Sequence, residues 1–359
     1  MAPLAEIVQL TKDLVAIPSV SDVAAQREAV IDFIAVYCAR LPGVHIARHE
    51  SNGFPSLVAA WDEVRPKRLI LNGHVDVVPG LPAQFTVAER DGRLYGRGTQ
   101  DMKGAVAATL VLLKDLAERG EQPSVSWQFV TDEEIGGDDG TGYLLNQGYL
   151  GALFIAGEPT DLEIVHRAKG ILWTTVRLVG NPAHGSRPWD GTNPVAAVAA
   201  GLGKLLERYP IPAEPVWRTT VTPSAIQSGD AHNRVPPECL LKLDIRRVPD
   251  ESPDAILAAV RDCFPGAEIT TPHNGTSLET DIEHAEVQRL AAALQAETGA
   301  SPRFRHEHFA SDARYYSERG MAAVCCGPVG AGLHSHDEWV DVASLGTFYN
   351  VLQRLVKSY

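Results

Sequence analysis

The chain has 359 residues, 45% hydrophobic and 21% charged, which suits two folded globular domains and excludes a disordered or fibrous protein. Asp plus Glu number 45 against 32 Lys plus Arg, a formal net charge of -13, and no stretch is basic, so nucleic acid and anionic membrane are excluded as natural partners. The five cysteines, Cys38, Cys239, Cys263, Cys325 and Cys326, are odd in number and lack C-x-x-C spacing, which argues for free thiols in a reducing cytoplasm rather than disulfides or a thiolate zinc site.

The first dozen residues contain no basic segment followed by an apolar one, so no signal peptide is expected. No uncharged apolar run is long enough to span a bilayer. Apolar residues at helical spacing predict helices around Leu4–Ala16 and Ala24–Leu41. Short aliphatic runs predict strands at Leu57–Trp61 and Arg68–Leu71. A helix over Gly104–Arg119 stops at Glu121-Gln122-Pro123, and Val125–Val130 follows as a strand. Tyr143–Gln147 reads as helix and Leu153–Ala156 as strand. Strands alternating with helices predict an α/β fold with a mainly parallel, helix-covered sheet. Ligands of such sheets gather at the carboxyl ends of the strands.

Beyond Gly170 the pattern changes. Ile171–Val179, Thr219–Ile226, Leu240–Arg246 and a run near Ala267–Thr270 read as strands, with helices at Pro194–Tyr209 and Pro253–Cys263. The simplest organisation is a discontinuous catalytic domain, residues 1–169 and 278–359, interrupted by an inserted α+β domain, residues 170–277.

Five imidazole and carboxylate side chains follow strand-like runs or tight turns in the order His74, Asp101, Glu134, Glu158, His334. Imidazole and carboxylate suit borderline divalent cations, and two such ions can activate one water between them. Asp76 lies two residues beyond His74, on the same face of an extended segment, where it can fix the imidazole's tautomer. Adjacent Glu133 and Glu134 can divide the work, Glu134 as ligand and Glu133 as a general base that stays free of the metal. Each residue alone has a plainer reading: Asp101 as a helix cap, Glu133 and Glu134 as an acidic turn, His334 as part of a surface cluster with His336, Asp337 and Glu338. Their order and positions together carry the inference of a metal-dependent hydrolase.

In these segments the chain resembles the dinuclear zinc metallohydrolases that include acetylornithine deacetylase, succinyl-diaminopimelate desuccinylase, aminoacylase and glutamate carboxypeptidase. The matching stretches are Gly73-His-Val-Asp-Val-Val-Pro79, Tyr95-Gly-Arg-Gly-Thr-Gln-Asp-Met-Lys-Gly104, Thr131-Asp-Glu-Glu134, Gly157-Glu-Pro-Thr160 and Gly327-Pro-Val-Gly-Ala-Gly-Leu-His334. The resemblance covers nearly the whole chain. It implies two divalent ions, zinc first and cobalt or manganese as alternatives. His74 and Glu158 would hold one ion, Glu134 and His334 the other, with Asp101 bridging, Glu133 as base and Asp76 orienting His74. It implies hydrolysis of an N-acyl amino acid by a metal-bridging hydroxide, with a metallo-dipeptidase or carboxypeptidase as the alternative and a catalytically silent metal-binding scaffold behind both. Asn181-Pro-Ala-His-Gly-Ser186 resembles the family's lid segment, which implies a homodimer in which His184 stabilises the oxyanion in the partner's active site. Asn233 in Asn233-Arg-Val-Pro236 and Arg246 in Leu243-Asp-Ile-Arg246 would hold the substrate's carboxylate. Ser311-Asp-Ala-Arg314 also matches a family segment and is given a supporting role.

Overall fold

A computed structural model describes residues 2–359. Its centre is the Gly104–Arg119 helix, in which every residue from Gly104 to Leu113 is buried. A helix apolar on all sides has to be enclosed. The Leu4–Val15 and Val342–Val356 helices pack against it on the helical side. Gly120 ends it in the left-handed conformation (φ 68°), where a side chain would be strained.

The helices cover a nine-stranded sheet. Its order runs His45–Ser51, Phe54–Ala60, Val125–Val130, Lys67–His74, Gly151–Ala156, Ala322–Cys325, Ile164–Ala168 and Leu278–Glu279, with Phe304–Glu307 pairing on Ile164–Ala168. The four inner strands, from Val125–Val130 to Ala322–Cys325, are mutually parallel. Val125–Val130 is buried at every position, as a strand covered on both faces must be. The alternation in the sequence therefore leads to the expected α/β sheet.

Two features were not predicted. His45–Ser51 pairs antiparallel with Phe54–Ala60 through Asn52-Gly53, both at positive φ (47° and 82°). The strand is mostly polar, so hydrophobic pattern alone passes over it, although Asn-Gly is a strong hairpin signal. The second feature is a small sheet ordered Gly330–Ala331, Trp339–Asp341, Arg93–Tyr95 and Ala88–Arg90. It joins segments more than two hundred residues apart, a pairing that local pattern cannot show.

The chain divides into two units. One comprises Met1–Arg167, Leu278–Arg305 and Ser311–Tyr359; the other comprises Ala168–Ser277 and a short return, His306–Ala310. The second unit has a four-stranded antiparallel sheet ordered Thr220–Ser228, Glu238–Arg247, Gly170–Val179 and Glu268–Gly275. Burial alternates along Gly170–Val179, so Leu172, Val176 and Leu178 turn inward. They form a core with Leu205, Val260 and Phe264 from the Pro194–Arg208 and Pro253–Cys263 helices and the turn after them.

Candidate metal centre

The first unit builds the centre from three neighbouring parallel strands. Lys67–His74 lies between Val125–Val130 and Gly151–Ala156, with His74 level with Val130 and Asn72 level with Ala156. Their carboxyl ends are therefore flush. The residues that follow each strand, His74 to Asp76, Thr131 to Glu134, and Gly157-Glu158, are delivered to one edge.

His74 is buried. Its Nδ1 is 3.0 Å from the backbone carbonyl of Asp76 and 3.5 Å from the Asp76 carboxylate, and its Nε2 is 2.9 Å from Asp101 Oδ1. Asp76, fully buried, accepts the backbone N–H of Glu133 (3.3 Å) and of Glu134 (3.2 Å) and the hydroxyl of Ser21 (2.8 Å). It thus ties the glutamate turn to the His74 strand, a role that its spacing from His74 does not reveal.

Asp101 is presented by a turn that opens on Gly98 at φ 84°. Glu338 organises that turn. Its Oε1 accepts the N–H of Gly98 (2.8 Å), Gln100 (3.1 Å) and Asp101 (3.3 Å), while Oε2 pairs with buried Arg97 at 2.5 Å. In the sequence, Glu338 reads only as part of a polar surface cluster. The only sequence signal is faint, an Arg between glycines at position 97 and a Glu at position 338. His334 stands at φ 60°, a sparsely populated conformation for a residue with a side chain. Its Nε2 is 3.2 Å from Glu134 Oε2 and 3.3 Å from Asp101 Oδ2, and half of its side chain is exposed.

Ligand-type atoms converge in two groups, His74 with Asp101 and Glu134, and His74 with Glu133 and Glu158, each within 4.8 Å. His74, Asp101, Glu133, Glu134 and Glu158 fall in these groups, with Glu133 beside Glu158, and His334 joins them only through its contacts with Glu134 and Asp101.

Buried negative charge dominates the electrostatics. Burial, then the charge of Glu158, pushes the Glu133 carboxyl well above the usual range. Burial raises Glu158 to about 8, against the opposing pull of His74. Burial also raises Glu134, opposed by its hydrogen bond from His334. Asp101 goes the other way: burial acts to raise it, but hydrogen bonds from His334 and His74 hold it low. His334 rises to about 10 through its bonds to Asp101 and Glu134. Lys103, buried with its Nζ on the carbonyls of Leu14 (3.1 Å) and Ile17 (2.7 Å), is lowered by burial to about 7 and compensates little. Clustered carboxylates of this kind are unfavourable unless cations neutralise them. An oxygen-rich donor set with two imidazoles fits divalent ions of the zinc type.

In the second unit His184 is exposed and its Nδ1 accepts the N–H of Ser186 (3.2 Å). The same Nδ1 lies 2.8 Å from the Ser186 hydroxyl. The His184 turn pairs with the 233–235 segment, through Gly185 N–H to Asn233 O (2.7 Å) and Val235 N–H to Ala183 O (2.9 Å). The guanidinium of Arg246 is forked on Asp244, at 2.9 and 3.3 Å.

The model of peptidase family M20/M25/M40 matches residues 70–358. Among curated relatives, the succinyl-diaminopimelate desuccinylase of Rhodospirillum centenum is 31% identical, covering 96% of this chain and 94% of its own. The acetylornithine deacetylase of Photorhabdus laumondii is 27% identical, covering 99% and 98%. The solved structure of the Bacillus subtilis YXEP protein, a dinuclear metal-binding peptidase of the M20 family, superposes with a TM-score of 0.71 at 15% identity, over 98% of this chain and 97% of that one, a likeness of fold.

Proposed function

Because the chain belongs to peptidase family M20/M25/M40, we propose that it is a metal-dependent amidohydrolase that removes the acyl group from an N-acyl amino acid. The observation that carries this reading is the pair of overlapping ligand groups sharing His74 at the flush ends of three parallel strands. The desuccinylase and deacetylase names of full-length relatives support acyl amino acids over other amides.

Two divalent ions, zinc first and cobalt or manganese as alternatives, would supply an activated water and an electrophile for the amide carbonyl. We assign His74 and Glu158 to one ion and Glu134 and His334 to the other, with Asp101 between them. Glu133, whose burial raises its carboxyl and so makes its carboxylate the stronger base, accepts in its ionised form a proton from the attacking water and returns it to the leaving nitrogen. Asp76 holds the Glu133 backbone in place. His184 of a second copy offers a ring N–H to the oxyanion, and the second unit serves as lid and dimer interface. Asn233 and Arg246 receive the substrate's carboxylate, with Asp244 fixing the guanidinium plane.

The test is amine release from N-acetyl-ornithine, N-acetyl-lysine, N-succinyl-diaminopimelate and simple dipeptides, with zinc or cobalt and with a chelator. Chelator-sensitive release from an acyl amino acid is expected. Glu133→Gln should keep its metal and lose about 100- to 10,000-fold in kcat. Cleavage of dipeptides alone would move the protein to the peptidase reading. An inert protein with two ions bound would make it a silent scaffold.

A further inference from the structure

The Ser311-Asp-Ala-Arg314 segment has no part in the proposed chemistry, yet Ser311, Asp312 and Arg314 are all buried. Each grips something. The Cys325 thiol, at the end of an inner strand, lies 3.0 Å from the Ser311 hydroxyl. Asp312 Oδ2 accepts the hydroxyl hydrogen of Thr141 at 2.6 Å, and the Thr141 oxygen in turn accepts from the Asn72 amide at 3.0 Å. Thr141 and Asn72 are buried as well. Arg314 donates to the carbonyl of Gly136, and the Tyr315 hydroxyl is 2.7 Å from that carbonyl and 2.6 Å from Asp138 Oδ1.

The partners lie where they can matter. Asn72 stands two residues before His74, and its carbonyl accepts the N–H of Gly157, the residue preceding Glu158. Gly136, Asp138 and Thr141 belong to the turn leading away from Glu133 and Glu134. That turn is internally braced, since Asp132 Oδ2 takes the N–H of Asp139 (2.8 Å) and Gly140 (2.9 Å). A braced turn moves as a body, so what fixes its far end also fixes Glu133 at its near end.

We infer that Asp312 is a positioning residue for Glu133: through Thr141 and Asn72 it locks the turn carrying the base to the strand end carrying His74. The inference rests on the hydrolase reading for its rate consequence. A hydroxyl that donates to a carboxylate while accepting from an amide has one good orientation, so the three side chains form a directional clamp. A base must be held to within a fraction of an ångström, and a 1 Å error costs on the order of 100-fold.

The experiment compares Thr141→Val, which keeps shape and loses the hydroxyl, with Thr141→Ser, Asp312→Ala and the Thr141→Val/Asp312→Ala double variant, all as metal-loaded full-length protein. Thr141→Val should lose about 10- to 100-fold in kcat with KM and metal content near wild type. Thr141→Ser should restore the rate, and the double variant should cost no more than the worse single, because the two act through one bond. Hydrogen exchange of amides 133–140 should quicken in Thr141→Val. Wild-type kcat and wild-type exchange in Thr141→Val would overturn the inference, as would a loss that merely tracks missing metal or unfolded protein. Should the wild type prove inert on every acyl amino acid and peptide, the hydrolase reading fails, and the exchange comparison still decides whether the clamp holds the turn.

Discussion

Glu338 illustrates what one buried carboxylate can organise. Three backbone N–H groups and Arg97 converge on it, so the turn bearing Asp101 is built around a charge that lies 237 residues away in sequence. A carboxylate receiving several N–H bonds is a strong acceptor, and its neutral amide counterpart is a weaker one. Glu338→Gln should therefore loosen Asp101 and leave Arg97 without its counter-charge. We expect metal affinity to fall about 10- to 100-fold, measured by zinc competition with a chromophoric chelator. Unchanged affinity would mean that Asp101 is held by its own turn. Residues of this kind escape sequence reading because their partners are chosen by the fold. Asp101, Glu134 and Glu158 were legible because each stands in a recognisable local stretch, whereas Glu338 stands in a run of polar residues that reads as surface.

Among elements, glycines separate local from tertiary demands. Gly53 and Gly98 both have positive φ, 82° and 84°. A methyl group on Gly53 would meet nothing within 4 Å, whereas one on Gly98 would lie 2.9 Å from Val77 Cγ1 and 3.2 Å from Lys103 Cδ. Gly53→Ala should cost only the conformational term, about 1 kcal/mol, with normal activity. Gly98→Ala adds a clash beneath the Asp101 turn, and we expect a larger urea-midpoint shift together with weaker metal binding. Equal shifts for the two would show that the turn relaxes freely. The Asn52-Gly53 dipeptide signals a hairpin, but its first strand is polar and carries no hydrophobic alternation to mark it. The small sheet joining Arg93–Tyr95 to Trp339–Asp341 was not readable at all, since its pairing is between distant segments.

At the scale of the whole molecule the clustered carboxylates link stability to metal and pH. With no ion bound, Glu133, Glu134 and Glu158 have folded-state pKa values above their unfolded ones, with burial as the main cause. The folded state then holds more protons than the unfolded state. The stability this contributes is fully present below the unfolded value near 4.5 and is lost as pH rises, through about 8 for Glu158. Chelator-treated protein should therefore lose Tm between about pH 5 and 8. Zinc should raise Tm most at the alkaline end, because an ion takes the charged carboxylates and stabilises by mass action. A zinc-induced shift that is the same at pH 5.5 and 8 would contradict a metal held by these groups.

The sequence by itself determined the α/β alternation, the parallel inner strands and the order in which imidazole and carboxylate residues are delivered, because these follow from local periodicity and from chemistry at strand ends. It also placed a change of character at residue 170, where hydrophobic patterning shifts from continuous to alternating. The tertiary structure decided which groups meet. Flush strand ends brought Glu133 beside Glu158, Asp76 turned its carboxylate to the glutamate backbone, Asp244 took the fork of Arg246, and Glu338 and Asp312 became supports for residues far along the chain. Hydrogen bonds and charges act over a few ångströms of space and carry no record of separation along the chain, so only folding selects their partners.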